Sequence, residues 1–412
     1  MTSIKQLVRK SEETLRPYFD DIEAIALSNQ EKVLNAFHSV KVTENDLQGT
    51  TGYGYDDFGR DHLEQIYAHT FKAEDALVRP QIISGTHAIT IALQSTLKYN
   101  DELLYITGNP YDTLLEVIGI NGNGIESLQE HGVVYNKIDL KNGAIDTQSV
   151  LAHMSKQTKV VAIQRSKGYD QRPSINIDEI ERAIQLIKAQ FPEVIVFVDN
   201  CYGEFVELRE PIECGADIIA GSLIKNPGGG LAKIGGYIAG RNDLIQRCGY
   251  RLTAPGIGKE AGASLDTLQD MYQGFFLAPH VVSQSLKGAI FTSLLLDKLG
   301  MTTTPKYNVP RTDLIQTVTF TDKEQMIQFC QSIQHASPVN AHFSPEPAYM
   351  PGYEDDVIMA AGTFIQGSSI ELSADGPIRP PYEAYIQGGL TYEHVKIAVT
   401  RAVEQLRENN LV

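Results

Sequence analysis

Short apolar runs, rich in β-branched residues, punctuate the middle of this chain, and helical stretches separate most of them. The runs are Leu103-Leu104-Tyr105-Ile106, Val133-Val134-Tyr135, Val160-Val161-Ala162-Ile163, Val194-Ile195-Val196-Phe197-Val198 and Asp217-Ile218-Ile219-Ala220. Each is too short for a helix. Apolar residues at consecutive positions mark a strand buried on both faces. Roughly ten or more residues of helical pattern lie between most of them, as in 177–190, so the alternation predicts an α/β chain. Its sheet is expected to be mainly parallel and covered by helices. In such sheets ligands bind beyond the carboxyl ends of the strands, and chemistry is to be sought there.

The flanks read differently. Residues 1 to about 45 carry Leu7, Leu15, Ile22, Ile25, Ala26, Val33 and Phe37 at helical spacing, which predicts two helices. Gly49-Thr50-Thr51-Gly52-Tyr53-Gly54-Tyr55 follows, too glycine-rich for a helix and too aromatic for a linker. A helix resumes at Asp61. A long helix over 280–299 leads to a strand over 314–320, a helix over 323–333 and a last helix over 392–406. A chain of 412 residues suits one large domain and a smaller one. The expected division is N-terminal helices and an arm over 1–60, a large α/β domain over 61–285, and a smaller α+β domain over 286–412.

Charge narrows the partners. The formal net charge is −16, which disfavours nucleic acid, since that binding rests on clustered cations. No run approaches the ~18 apolar residues of a membrane span. The first ten residues hold no signal-peptide core. Cys201, Cys214, Cys248 and Cys330 are scattered, as expected for reduced thiols in the cytoplasm. No His or carboxylate cluster has metal-ligand spacing, so no metal is expected.

The chemistry gathers where the strands end. The run Val194 to Val198 stops at Asp199-Asn200, and Gly221-Ser222-Leu223-Ile224-Lys225-Asn226-Pro227-Gly228-Gly229-Gly230 follows. A carboxylate ending a buried strand, then a lysine in Ser-x-x-Lys, is what pyridoxal phosphate chemistry needs. The lysine amine condenses with the aldehyde, and the carboxylate keeps the pyridine nitrogen protonated. Ser222, one turn before Lys225, can donate to the phosphate. Ser84-Gly85-Thr86-His87-Ala88 follows Ile82-Ile83 and opens a helix. Free N–H groups and the helix dipole bind an anion there. Gly85 permits close approach, and Thr86 adds a hydroxyl or simply caps the helix. Tyr111, in Gly108-Asn109-Pro110-Tyr111-Asp112, is placed to stack on a flat ring and assist a leaving group, or else to cap the core edge. The glycines after Lys225 are no P-loop, which needs Gly-x-x-x-x-Gly-Lys followed by Ser or Thr.

With these parts in order, the chain resembles the fold-type I pyridoxal-phosphate enzymes. It is most similar to the methionine gamma-lyase and cystathionine lyase group, in the branch known as aluminium-resistance proteins. The carrying motifs are Thr51-Gly52-Tyr53-Gly54-Tyr55-Asp56-Asp57-Phe58-Gly59-Arg60, Val78 to Ala88, Phe197-Val198-Asp199-Asn200-Cys201-Tyr202-Gly203-Glu204-Phe205, and Ser222 to Gly230. The resemblance implies that Lys225 holds the cofactor and acts as base, and that Asp199 partners the ring nitrogen. It implies that Gly85, Thr86 and Ser222 surround the phosphate, with His87 a further candidate beside that turn, and that Tyr111 stacks on the ring. It also implies a homodimer or homotetramer in which Tyr53, Tyr55 and Arg60 reach a neighbour's site; the alternative is a loop packed on its own subunit.

Three departures stand out. Glu371 occupies the place of the substrate-carboxylate arginine, leaving Arg379 as replacement or as a structural ion pair. Arg165 and Lys167 follow the strand after Val160, where the group has Asn-Pro, and would suit a more anionic substrate. His87 replaces an apolar residue. The implied activity is elimination from a sulfur-containing amino acid, releasing a thiol. The alternatives are transamination, aldol cleavage, or a non-catalytic cofactor-binding role in stress response.

Overall fold

The computed structural model describes residues 3–350, 353 and 355–409. The chain begins with one 37-residue helix, α1 (Ile4–Val40), where two were expected. Its buried residues Val8, Ser11, Leu15 and Phe19, then Asn29, Val33 and Ala36, keep one stripe on both sides of Pro17. A proline inside a helix removes one backbone bond; burial of this stripe along its whole length carries α1 through. Val8, Leu15 and Phe19 enter the C-terminal core, whereas Val33 and Ala36 enter the core of the large sheet.

Then come α2 (Phe58–Phe71), β1 (Asp75–Arg79), α3 (Gly85–Thr96), β2 (Glu102–Tyr105), α4 (Asp112–Ile118), β3 (Val134–Lys137), α5 (Thr147–His153), β4 (Thr158–Gln164), α6 (Ile177–Gln190), β5 (Ile195–Asp199), β6 (Ile218–Ser222), β7 (Gly236–Gly240), α7 (Asn242–Leu252) and α8 (Leu268–Asp297). The strands form a seven-stranded sheet in the order β1-β7-β6-β5-β4-β2-β3. All neighbours are parallel except β7, which runs antiparallel to both β1 and β6. Side chains alternate faces along a strand. In β5, Val196 and Val198 join Ile180, Ile184, Ile187, Tyr67 and Phe275 on one face. Ile195 and Phe197 join Ile89, Leu93, Leu244 and Ile245 on the other. Both faces are therefore dry, which is why the strand runs are continuously apolar.

The long helix α8 starts at Leu268, earlier than the expected His280. Its first five turns pack on the large sheet through Phe275, Val282 and Leu286. Its last turns pack in a second core through Ile290, Phe291 and Leu294. That core covers a five-stranded antiparallel sheet, β8 (Thr302–Thr304), β9 (Gln316–Thr319), β10 (Val357–Ala360), β11 (Ser373–Pro377) and β12 (Glu383–Gln387), ordered β10-β11-β12-β9-β8. Phe329 and Ile333 of α9 (Lys323–His335) and Val399 and Val403 of α10 (Tyr392–Glu408) close it. Among the described residues, no helix is long and apolar enough to cross a membrane, and no group of His, Cys, Asp and Glu is arranged to hold a metal.

Candidate active site

A cavity of about 370 Å³ lies at the carboxyl ends of β4, β5 and β6 and the start of α3, where the C-terminal sheet meets the large one. Gly85, Thr86, Tyr111, Asp199, Ser222 and Lys225 all line it. One side of the cavity is built by the first turn of α3. Ser84 caps the helix, its Oγ accepting from the His87 N–H at 3.1 Å. A Cβ on Gly85 would meet the Ser222 Cβ at 3.3 Å and the Cys201 Sγ at 3.4 Å, so glycine lets the helix start close onto β6. Ser222 Oγ accepts from the Ile224 N–H at 3.3 Å and keeps its own proton to donate. Thr86 and Thr113 share a hydroxyl bond of 3.0 Å.

Asp199 and Lys225 face the same buried volume. Burial raises the Asp199 pKa, against the opposing pull of Lys225 and a Cys201 N–H donating at 3.1 Å. Burial alone would lower the Lys225 pKa, but the acids around it, Cys201, Tyr202, Asp199 and Glu204, reverse that and raise it. The amine is therefore a protonated cation held among acids. Tyr202 lies under it, with Nζ 4.0 Å from the ring centroid, a cation–π distance. Its left-handed backbone, φ +69°, turns the ring into the cavity.

An aromatic and polar wall closes the far side. Tyr111 N–H donates to Gln164 Oε1 at 2.6 Å, and its hydroxyl bonds that of Tyr353. Burial holds the Tyr111 phenol protonated, a proton donor and not a base. Tyr169 donates to Asp375 Oδ1 at 2.5 Å, and Gln387 Nε2 donates to Oδ2 at 2.9 Å. Burial pushes Asp375 up to about 6. Tyr202, Tyr353, Asp375, Ser368 and Ser373 were not foreseen. Most of them come from the C-terminal domain and share no local motif with Lys225.

Four of the expected residues point elsewhere within this subunit. Arg165 is fully buried and turned from the cavity, its guanidinium bonded to Glu207 at 2.7 Å, Asn200 at 2.8 Å and Glu210 at 3.5 Å. Gln164 and Ser166, on either side of it, line the cavity, and Arg165 does not. Arg60 is buried too. It donates to the carbonyls of Gly54 at 2.6 Å and Gly262 at 3.2 Å and pairs with Asp61, so it fastens its own loop. Arg379 sits in a separate depression, paired with Asp355 at 3.0 Å. The His87 ring folds back, Nδ1 accepting from the Ile83 N–H at 3.2 Å, with its pKa lowered by burial, and it does not line the cavity. Tyr53 and Tyr55 stay exposed, stacked with centroids 5.5 Å apart.

The residues present fit pyridoxal phosphate. An amine and a carboxyl share one cavity with a helix start that glycine brings close and with two hydroxyl donors. Ser368 and Ser373 Oγ lie buried on the same wall with no partner, as donors awaiting an acceptor do.

Comparison with known proteins agrees with this cofactor. The profile of the family described as methionine gamma-lyase matches residues 4–407. A Bacillus subtilis (strain 168) protein, YnbB, is 60% identical over 411 residues, spanning 99% of this chain and 98% of that one. A crystal structure from Listeria monocytogenes, described as a proposed cystathionine beta-lyase involved in aluminum resistance, superposes with a TM-score of 0.96 at 59% identity, covering 97% of this chain and 99% of that one. The pyridoxal-5'-phosphate-dependent protein YhfS from Escherichia coli shares the fold at a TM-score of 0.61 and 18% identity, covering 92% of this chain and 96% of that one.

Proposed function

This chain belongs to the methionine gamma-lyase family, with the fold-type I architecture and pyridoxal 5'-phosphate as cofactor, and from that premise we propose that it eliminates a thiol from a sulfur-containing amino acid. The observation that carries the reading is the convergence of Lys225, Asp199, Ser222, Gly85 and Tyr111 on one cavity from separate strand ends.

The cofactor, when bound, supplies an aldehyde that captures an amino group and a protonated ring that withdraws the electrons left when the α-proton departs. The chain does the rest. Lys225 Nζ would hold the cofactor and, when its amine is free, would be the base that takes the α-proton. Asp199 would keep the ring nitrogen protonated, its buried carboxyl facing the cavity with Lys225 and Arg172 the cations that act on it. The N–H groups at the start of α3, with Thr86 and Ser222, take the phosphate. Tyr111 presents its ring to the cofactor and its phenolic proton to the departing sulfur, with Tyr353 fixing the hydroxyl.

Lys225 is the only cation among the described residues lining the cavity. A phosphate dianion and a substrate carboxylate need more positive charge than one amine. That shortfall supports a homodimer or homotetramer in which a second copy completes the site. The exposed Tyr53–Tyr55 pair is the segment proposed to meet the neighbour. Four free, buried cysteines support a reducing compartment, the cytoplasm.

The test is a screen of the cofactor-loaded protein against cystathionine, methionine, cysteine and homocysteine, with thiol, ammonia and keto acid measured together. The reading predicts all three products in equal amounts from at least one of these. Ammonia without thiol, or amino transfer to a keto acid, contradicts it.

A further inference from the structure

The charge on the cavity wall runs opposite to what the sequence suggests. Arg165 is turned away, and the buried Lys167, with Nζ 5.7 Å from the Tyr385 ring centroid, does not line the cavity. Asp375 does line it, and the mechanism above makes no use of it. It sits on β11, opposite Met359 of β10 and Tyr385 of β12. Ser373, two residues earlier on the same face, lines the cavity too, with Met359, Ala361 and Gln387 around it. The small sheet therefore turns one face to the site, and the charged group on that face is an acid.

Asp375 is 3% exposed. Its oxygens accept from the Tyr169 hydroxyl at 2.5 Å and the Gln387 Nε2 at 2.9 Å, both neutral donors. Among the described residues it has no ion pair, and burial is opposed by those two hydrogen bonds alone. The other ionisable groups that feel its charge are Tyr111, Tyr169, Tyr202 and Tyr353 on the cavity wall and Cys330 of α9; burial above all keeps them protonated and neutral. A buried carboxylate without a cation is costly, and each of its oxygens has a further lone pair to offer. Whatever fills the cavity is expected to supply the cation.

Two further features favour an ammonium. The Ser373 Oγ, also in a residue 3% exposed, has no partner and can accept an N–H. The rings of Tyr111, Tyr169 and Tyr353 line the cavity with centroids 5.6, 6.2 and 6.4 Å apart, and aromatic surroundings favour a cation. The phenol proton of Tyr169, which could serve an anion, is spent on Asp375.

We propose that Asp375 is the specificity residue of this cavity and that the leaving thiol of the substrate carries an ammonium, with no second carboxylate beside it. The substrate class is an S-aminoalkyl amino acid. Lys225 takes the α-proton, the carbon–sulfur bond breaks with its electron pair on sulfur, and sulfur takes a proton from Tyr111. Water then converts the unsaturated amino acid that remains into keto acid and ammonia. The ammonium keeps its protons and is held by Asp375 and Ser373. The inference rests on thiol release as proposed above. Burial pushes Asp375 up to about 6, so most of it is charged at about pH 7.5.

The probes are S-(2-aminoethyl)cysteine, S-propylcysteine and S-carboxymethylcysteine, with their homocysteine homologues. Binding to the cofactor-loaded protein is followed by its absorption spectrum, and thiol release by a thiol reagent. At about pH 7.5 the amine is expected to bind and react about tenfold or more better than the propyl compound, the size of one charged hydrogen bond. The carboxymethyl compound should rank last. Asp375→Asn keeps the shape and the Tyr169 bond but loses the charge, and the amine-to-propyl ratio should fall close to one. The wild-type ranking decides the matter where that variant does not fold. Equal binding of amine and propyl compounds by the wild-type protein, or an unmoved ratio in folded Asp375→Asn, overturns this inference alone. Preferred binding of the amine without thiol release overturns the thiol-releasing reading and leaves the ammonium subsite standing. No binding of any probe overturns both.

Discussion

Replacing Arg165 by glutamine should unfold the protein more readily without weakening substrate binding. The guanidinium is fully buried and joins Glu207, Asn200 and Glu210. Without it, Glu210 keeps only the Phe205 N–H at 2.9 Å and the Asn200 amide at 2.9 Å. Removing one side of a buried ion pair costs about 3–5 kcal/mol, a large share of a total near about 5–15 kcal/mol. At about 2–4 °C per kcal/mol, the thermal midpoint should drop on the order of 10 °C. The pH dependence has a defined sign. Burial already raises the Glu210 pKa, and losing Arg165 raises it further. A group with a raised folded pKa contributes stability that is full below its unfolded pKa and is lost as pH rises through the folded one. The deficit should therefore be smaller near about pH 5.5 than near about pH 8. Thermal unfolding of the loaded protein at both values, beside KM at a temperature where the variant is folded, decides it. An unchanged midpoint with KM raised about tenfold or more, a loss of about 1.4 kcal/mol in binding, would put this guanidinium on the substrate and refute the reasoning.

Asp199→Asn should keep the fold and lower kcat by about 10²–10³, as removal of a preorganised electrostatic partner does; turnover within about threefold of wild type contradicts its role. Tyr111→Phe keeps the ring and loses the proton donor, so kcat for thiol release should fall about a hundredfold, within the range for general acids, while cofactor affinity holds. Arg60→Ala should leave the Gly54 and Gly262 carbonyls without their donor and cost about 1–3 kcal/mol of stability by denaturant titration. Cofactor lost from that variant without any loss of stability would place Arg60 on the phosphate.

The core of the site was legible because its parts follow strands. A carboxylate that ends β5 and a lysine just past β6 fall at the carboxyl edge wherever a parallel sheet forms, so Asp199 and Lys225 declare themselves by order along the chain. The arginines were not legible by type alone. Arg165 was read by its charge, yet just past the end of β4 its guanidinium is taken by Glu207, Asn200 and Glu210, while Gln164 and Ser166 line the cavity. Arg60, in the first turn of α2, finds carbonyls of its own loop within reach before any neighbour. Tyr353 and Asp375 depend on how the C-terminal sheet docks, which no local pattern encodes. The strand β7 was missed because Gly236-Tyr237-Ile238-Ala239-Gly240 is short and bounded by glycines. The single helix α1 was split in reading because its burial stripe needs two separate cores to explain it.

The account stands on Lys225 as the residue that holds the cofactor. Borohydride reduction of the loaded protein, followed by peptide mapping of the fixed label by mass, tests this directly. The expected result is one pyridoxyl group, on Lys225, with none in Lys225→Ala. A label on the buried Lys167 or on Lys233, which pairs with Asp270 at the surface, would contradict it.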